Sequence, residues 1–379
     1  MSTINKRKRP PLSLAFAPPP ADGHPLSITA FRAWRLREPV SGRRYTVVKL
    51  TARNGVSGYG EGDPAPALAI AESRAAIINR RATESEYVRH ALAAQPAMEA
   101  AVSNAMLDLV ARTKAVPVYQ YLGGPTRFKV RLLARLEGSD PPAPSAALDR
   151  ALRAGFRAFT MPVPPRRSMS LLQDWVDTVR NHFTAMQTSA GEGSEWVLDG
   201  AASLTPGDAA TLAVALERAH PMWLDEPVAV LTTDALSKIV DQSVMPVGIG
   251  RNITDIAAFQ NLLRFGSASV LRPSLGLNSV VKIKRIAAIA ESHYVAISPY
   301  HSGGPIGSLA GIHLNAALPN SFAQEVPVPA SDGDAAMRAA ITGGKFERGD
   351  GGYAALLNRP GFGFDADDKA LDQYSEETL

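Results

Sequence analysis

Cysteine is absent from the 379 residues, which excludes disulfides, thiol nucleophiles and Cys-based metal sites. No apolar stretch approaches the roughly 20 residues that span a bilayer. Charge of one sign is scarce as well: the net charge of +4 is too small to argue for a nucleic-acid partner. The basic run Lys6-Arg7-Lys8-Arg9 is followed by prolines and reads as a solvated tail. Leu12 to Ala17 is short and flanked by Pro10, Pro11 and Pro18 to Pro20, so it does not read as a secretory signal. These absences predict a cytoplasmic protein with neither nucleic-acid nor membrane partners. What remains is ordinary globular material, 45% hydrophobic and 20% charged, long enough for two domains and a large core.

The chain divides by pattern. Residues 1–25 are Pro-rich and form a candidate arm or lid. Residues 26–61 alternate, with Thr46 to Thr51 β-branched and bounded by Gly55 and Gly58, which predicts a small antiparallel meander. From about Ala65 the pattern turns helical, with Ala97 to Ala111 rich in Ala, Met and Leu, and Gly123-Gly124-Pro125 stops it. From Val130 strand and helix alternate. Thr205-Pro206 starts one helix, and Asp255 to Phe265 and Ser279 to His293 form two more. Near the end, Asn358 to Asp365 reads as a turn followed by a short strand that packs on the N-terminal domain.

Each short strand is apolar until its last residue, and the last residues repeat at β/α spacing: Glu137, Thr160, Asp199, Asp225, Arg251, Ser274, Tyr300-His301 and Glu325. That pattern predicts an α/β chain whose parallel strands close into a barrel with polar groups at one mouth. Trp196 and Trp223 are expected between strands and helices.

Several motifs together resemble the enolase superfamily, in its mandelate racemase/muconate lactonizing enzyme branch. They are Tyr59-Gly60-Glu61-Gly62, Ser103 to Leu109, Pro117 to Gly124, Leu198-Asp199-Gly200-Ala201, Leu224-Asp225-Glu226-Pro227, Gly304-Pro305-Ile306-Gly307 and Pro360-Gly361-Phe362-Gly363. The resemblance implies an N-terminal α+β capping domain over residues 26–125, completed by 356–379. It implies a modified (β/α) TIM-type barrel over residues 126–355. Phe16 to Pro25 and Val56 to Asp63 are the corresponding candidate lid loops. Family members abstract the proton next to a carboxylate, and a Mg2+ held by three acids stabilises the enolate. By that alignment Asp199 and Asp225 occupy metal-ligand positions, but Arg251 occupies the third. The Lys-x-Lys pair of the second strand becomes Thr160-Met161-Pro162. The Asp of the family's Asp–His dyad becomes Ser274, and its His falls on Tyr300 or His301.

Arg251 can replace the ion in charge: two carboxylates with one guanidinium sum to −1, as three carboxylates with Mg2+ do. The expected arrangement is therefore an ion triad of Asp199, Asp225 and Arg251 without Mg2+; the alternative is that Arg251 binds an anionic substrate. Recruitment of Glu226 as a replacement ligand is disfavoured. Catalysis falls to His301 or Tyr300, with Arg251, Glu325, Glu137, Thr160 and Ser274 as substrate-binding candidates. Two readings follow. One is a divergent lyase or isomerase acting on a small carboxylate, a sugar acid or its lactone; the other is a non-catalytic homologue or binding protein. A homo-oligomer, dimer to octamer, is expected by resemblance.

Overall fold

The computed structural model describes residues 23–137, 143–166, 170–229, 232–344 and 346–378. Most of the proline-rich arm, including the candidate lid loop Phe16 to Pro25 as far as Asp22, lies outside the described residues.

The alternating segment forms three antiparallel strands, β1 (Ile28–Arg37), β2 (Arg44–Ala52) and β3 (Ser57–Gly62). Val56 to Asp63 is thus mostly strand, not a lid loop. The reason is its glycines: a Cβ at Gly60 would lie 2.1 Å from the Ala101 carbonyl oxygen. Their absence of side chains lets β3 lie directly on helix Pro96–Thr113. That helix ends close to where its Ala- and Leu-rich spacing predicts.

From Lys129 onward eight strands run parallel: β4 (Lys129–Arg135), β5 (Ala158–Pro162), β6 (Glu195–Asp199), β7 (Trp223–Asp225), β8 (Val247–Ile249), β9 (Val270–Leu271), β10 (Ala296–Ile297) and β11 (Gln324–Pro327). β11 pairs with β4, and the remaining seam between β10 and β11 is joined by the Phe322 N–H on the Ile297 carbonyl (2.8 Å). The connecting helices start as their sequences predict. The Thr205 side chain accepts from the Asp208 N–H before helix Pro206–Leu216, Asp255 caps Ile256–Arg264, and Ser279 caps Val280–Glu291.

After the barrel, β12 (Tyr353–Ala355) pairs with β4 and β13 (Ser375–Thr378) pairs with β1. The segment from Asn358 to Asp365 is a turn, with Gly361 bridging Pro117. The strand expected there falls ten residues later, at β13, where β1 has a free edge. Among the described residues no helix is long and apolar enough to cross a membrane.

Two apolar layers flank the barrel wall. Trp196 lies outside it, against Phe159 and Phe183, as expected. Trp223 does not: it points inward, in a buried plug with Leu133, Ala158, Val197, Val270 and Ala323. Gly248 on the next strand leaves room for it, since a Cβ there would lie 2.5 Å from Trp223. This plug fixes which face of every strand looks in, and so what stands above it.

Candidate active site

A strand repeats its facing every two residues. Two residues beyond each plug member stand Arg135, Thr160, Asp199, Asp225, Arg272 and Glu325. Arg251, from the turn after β8, reaches into the same layer. Arg135 Nη1 donates to Asp199 (3.1 Å) and to Glu325 (3.3 Å). Arg251 donates to Asp199 from Nη1 (2.9 Å) and to Asp225 from Nη2. Arg272 donates to Asp225 from Nε (3.0 Å) and to Glu325 from Nη2. The bonds close a ring: Arg135, Asp199, Arg251, Asp225, Arg272, Glu325, and back to Arg135. Three guanidiniums and three carboxylates alternate, so the layer is neutral, where the expected triad carries −1.

The ring is held from outside too. Trp223 Nε1 donates to Asp225 (3.0 Å), the Ala201 N–H to Asp199 (2.8 Å), and Arg272 Nη1 to the Ser298 hydroxyl (3.0 Å). Glu226, in the left-handed region at φ 41°, accepts the N–H groups of Gly250 (2.5 Å) and Arg251 (2.8 Å). That strained residue fixes the turn that delivers Arg251. Burial raises the Asp199 carboxyl, but Arg251 and Arg135 outweigh it and hold the group below its ordinary value. Burial likewise opposes the charge on Arg251, yet Asp225 and Asp199 keep it protonated.

These residues do not fit a divalent cation. Asp199 and Asp225 are each bridged by two guanidiniums, and the Arg251 head lies between the two carboxylates where an ion would sit. Glu226 is engaged with backbone N–H groups of the turn. A hard cation needs several free oxygen donors, and a ring of paired carboxylates offers few.

The other candidates separate. Tyr300 is half-buried above the ring, its ring centroid 4.5 Å from Arg251 Cζ and 5.0 Å from Arg135 Cζ. Its neighbour His301 lies in a second buried cluster. There His301 Nε2 is 2.8 Å from the Gly304 carbonyl and 3.7 Å from Glu61. Burial pushes the His301 pKa down to about 4, against that hydrogen bond. The ring is therefore neutral and donates from Nε2. Glu61 accepts the N–H groups of Gly304 (2.5 Å) and Gly307 (3.1 Å) at the start of helix Pro305–Ala317. The glycine turn thus binds an anion, but one of the chain's own.

Glu325 is fully buried with both oxygens on guanidiniums, which removes it from direct substrate contact. Glu137 is exposed, with one oxygen 2.5 Å from Arg43 of the β1–β2 loop, which ties that loop to the barrel. Ser274 is buried and accepts the Gly276 N–H (3.2 Å). Thr160 is buried in the ring layer, and its Oγ1 has no hydrogen-bond partner among the described residues.

The strand tips pointed to Glu137 and Ser274. Arg135 and Arg272 lie two residues earlier on the same faces, inside otherwise apolar runs. A charge inside an otherwise apolar inward-facing strand is the signal that could have found them.

A barrel with polar groups at its mouth and a flanking four-stranded sheet is the architecture of the enolase superfamily. The N-terminal domain model of the mandelate racemase/muconate lactonizing enzymes matches residues 32–123, and the enolase C-terminal domain-like model matches residues 144–370. The chain belongs to that superfamily, in its mandelate racemase/muconate lactonizing enzyme branch. Members generally use Mg2+. A D-galactonate dehydratase of Ralstonia pickettii is 27% identical over 281 residues, 73% of each chain. A D-xylonate dehydratase of Haloferax volcanii is 27% identical over 233 residues, 58% of this chain and 57% of that one. Among solved structures, a mandelate racemase/muconate lactonizing enzyme-like protein of Rubrobacter xylanophilus superposes with TM-score 0.81 at 22% identity. It covers 93% of this chain and 98% of its own, and this likeness concerns the fold alone.

Proposed function

We propose that this protein recognises a small polyhydroxy carboxylate, a sugar acid or its lactone, above the ion ring and transforms it without a divalent cation. The observation that carries this reading is the closed ring itself. It sets the Arg251 guanidinium between Asp199 and Asp225 and leaves Arg135 partly exposed, 18%, in the same layer. The dehydratase names of the curated relatives support the sugar-acid part.

Dehydration removes the proton on the carbon next to the carboxylate and the hydroxyl on the following carbon. Tyr300 stands over the ring, and in this reading its phenol gives its proton to the departing hydroxyl, which leaves as water. The same oxygen takes the α-proton, so that both the C–H and C–O bonds break on one face and the phenol is regenerated. Thr160, at the second-strand position, has no basic nitrogen to take the α-proton from the other face, so racemisation is disfavoured.

A second reading, a non-catalytic carboxylate-binding homologue, draws on the same residues. The second-strand position holds Thr160 and Pro162, and His301 is turned to Gly304. The two are separated by incubating the protein with D-galactonate, D-xylonate and their lactones, with EDTA or with Mg2+, and assaying 2-keto-3-deoxy acids. Product at equal rates in EDTA and Mg2+ supports the first reading. Saturable binding without product supports the second. Product only with Mg2+ refutes metal independence.

A further inference from the structure

The expected carboxylate clamp, Arg251, is turned into the ring, with its side chain only 8% exposed. Its Nη1 and Nη2 are paired, and its Nε is sealed in without a partner. Arg272 is fully buried with all three nitrogens engaged. Arg135 differs from both. Its single Nη1 serves Asp199 and Glu325, using both hydrogens of that nitrogen. Nε and Nη2 have no partner among the described residues, and the side chain is 18% exposed.

Nε–H and the adjacent Nη2–H form a fork that matches the two oxygens of a carboxylate. Arg135 Cζ lies over the Tyr300 ring, 5.0 Å from its centroid, a cation–π contact that leaves the hydrogens of Nε and Nη2 unspent. Beside it in the parallel register stands Thr160, whose buried Oγ1 also lacks a partner. Because the ring is neutral, an added anion meets no net repulsion from it.

We propose that Arg135 is the carboxylate receptor of this barrel, and that Thr160 takes the hydroxyl on the neighbouring carbon. The ligand class is then a small 2-hydroxy carboxylate, seated on the free edge of Arg135 under Tyr300. This inference rests on the reading that the mouth takes a small carboxylate, and it assigns the recognition to one residue pair.

The test is calorimetric titration at pH 7 with D-glycerate, D-galactonate and neutral glycerol. Wild type binds both acids and not glycerol. Arg135→Lys keeps the charge but loses the fork, and weakens both acids by about tenfold or more. Thr160→Val weakens them by about threefold or more. Arg272→Lys, which disturbs the ring without touching the fork, weakens both acids less than Arg135→Lys does. Equal losses in Arg135→Lys and Arg272→Lys would reduce Arg135 to a ring member and overturn the proposal. Should Arg135→Lys not fold, unchanged affinity in Thr160→Val overturns it instead. Binding of D-glycerate alone, lost in Arg135→Lys, upholds the receptor while refuting the sugar-acid reading. Equal binding of D-galactonate by wild type and Arg135→Lys does the reverse. No binding of either acid refutes both.

Discussion

Removing Arg272 from the ring is the sharpest perturbation of the barrel. The guanidinium is fully buried, and it holds Asp225, Glu325 and Ser298. In Arg272→Met, Glu325 keeps only Arg135 at 3.3 Å, and Asp225 keeps Arg251 and the Trp223 indole. Two carboxylates then share a dry layer with two guanidiniums and a third carboxylate. Breaking a buried pair by removing one partner costs about 3–5 kcal/mol. A domain of 150–250 residues loses roughly 2–4 °C in Tm per kcal/mol, so the shift for this longer chain should be about 8 °C. The double variant Arg272→Met/Glu325→Leu removes the orphaned charge with its partner. It should recover at least about 2 kcal/mol, because two apolar groups need no pairing. Calorimetric Tm values of wild type, both single variants and the double variant at pH 7 complete the cycle. Additive losses, or a cost below about 1 kcal/mol for Arg272→Met, would mean the ring is not coupled, and the reasoning fails. Salt should change little, since these charges are shielded from the ionic atmosphere.

Arg251→Glu turns one cation of the ring into an acid and leaves four carboxylates against two guanidiniums. It should gain measurable Mg2+ binding by calorimetry that wild type lacks, and equal heats in the two proteins would count against the layer as described. Gly248→Ala should lower stability by about 1–3 kcal/mol by pressing on Asp225 and Trp223. Gly207→Ala, a helical position with nothing within 4 Å, should raise it by about 0.5–1 kcal/mol. The buried second cluster predicts a pH signature. Burial pushes Glu61 up to about 7, so its contribution is full below the ordinary carboxyl range and is lost as pH rises through 7. His301, pushed down to about 4, contributes stability above its ordinary 6.5 that is lost as pH falls towards 4. Between about pH 4.5 and 6.5 the two slopes oppose, each near 1.4 kcal/mol per unit. In Glu61→Gln only the His301 slope remains, so urea midpoints should fall from pH 6.5 to 5 more steeply than in wild type. Parallel curves would refute the pairing of the two groups.

Much of the barrel was legible along the chain. Apolar runs ending in a polar residue, at β/α spacing, located the eight strands, and Thr205, Asp255 and Ser279 announced their helices because caps act within a few residues. Asp199, Asp225, Arg251 and Glu325 could be named as site candidates for the same reason. Trp223 was misplaced because facing depends on a neighbouring strand: it turns inward only where Gly248 makes room. The choice between Tyr300 and His301 could not be made from adjacent letters, since alternate residues of one strand end face opposite ways. The glycine turn after β10 could not reveal its partner, because the carboxylate it binds, Glu61, comes from β3, 243 residues away.

Local information therefore determined the elements, their order and the polar character of the mouth, because periodicity and capping operate over a turn or a pleat. Which residues meet was decided in three dimensions. Arg135 and Glu325 are 190 residues apart and touch only because β11 pairs with β4. The ring exists because the strands share one inward register above a common apolar plug. Charges that look isolated in sequence cancel there, and the guanidinium edge left unpaired among the described residues belongs to Arg135, which no motif had marked.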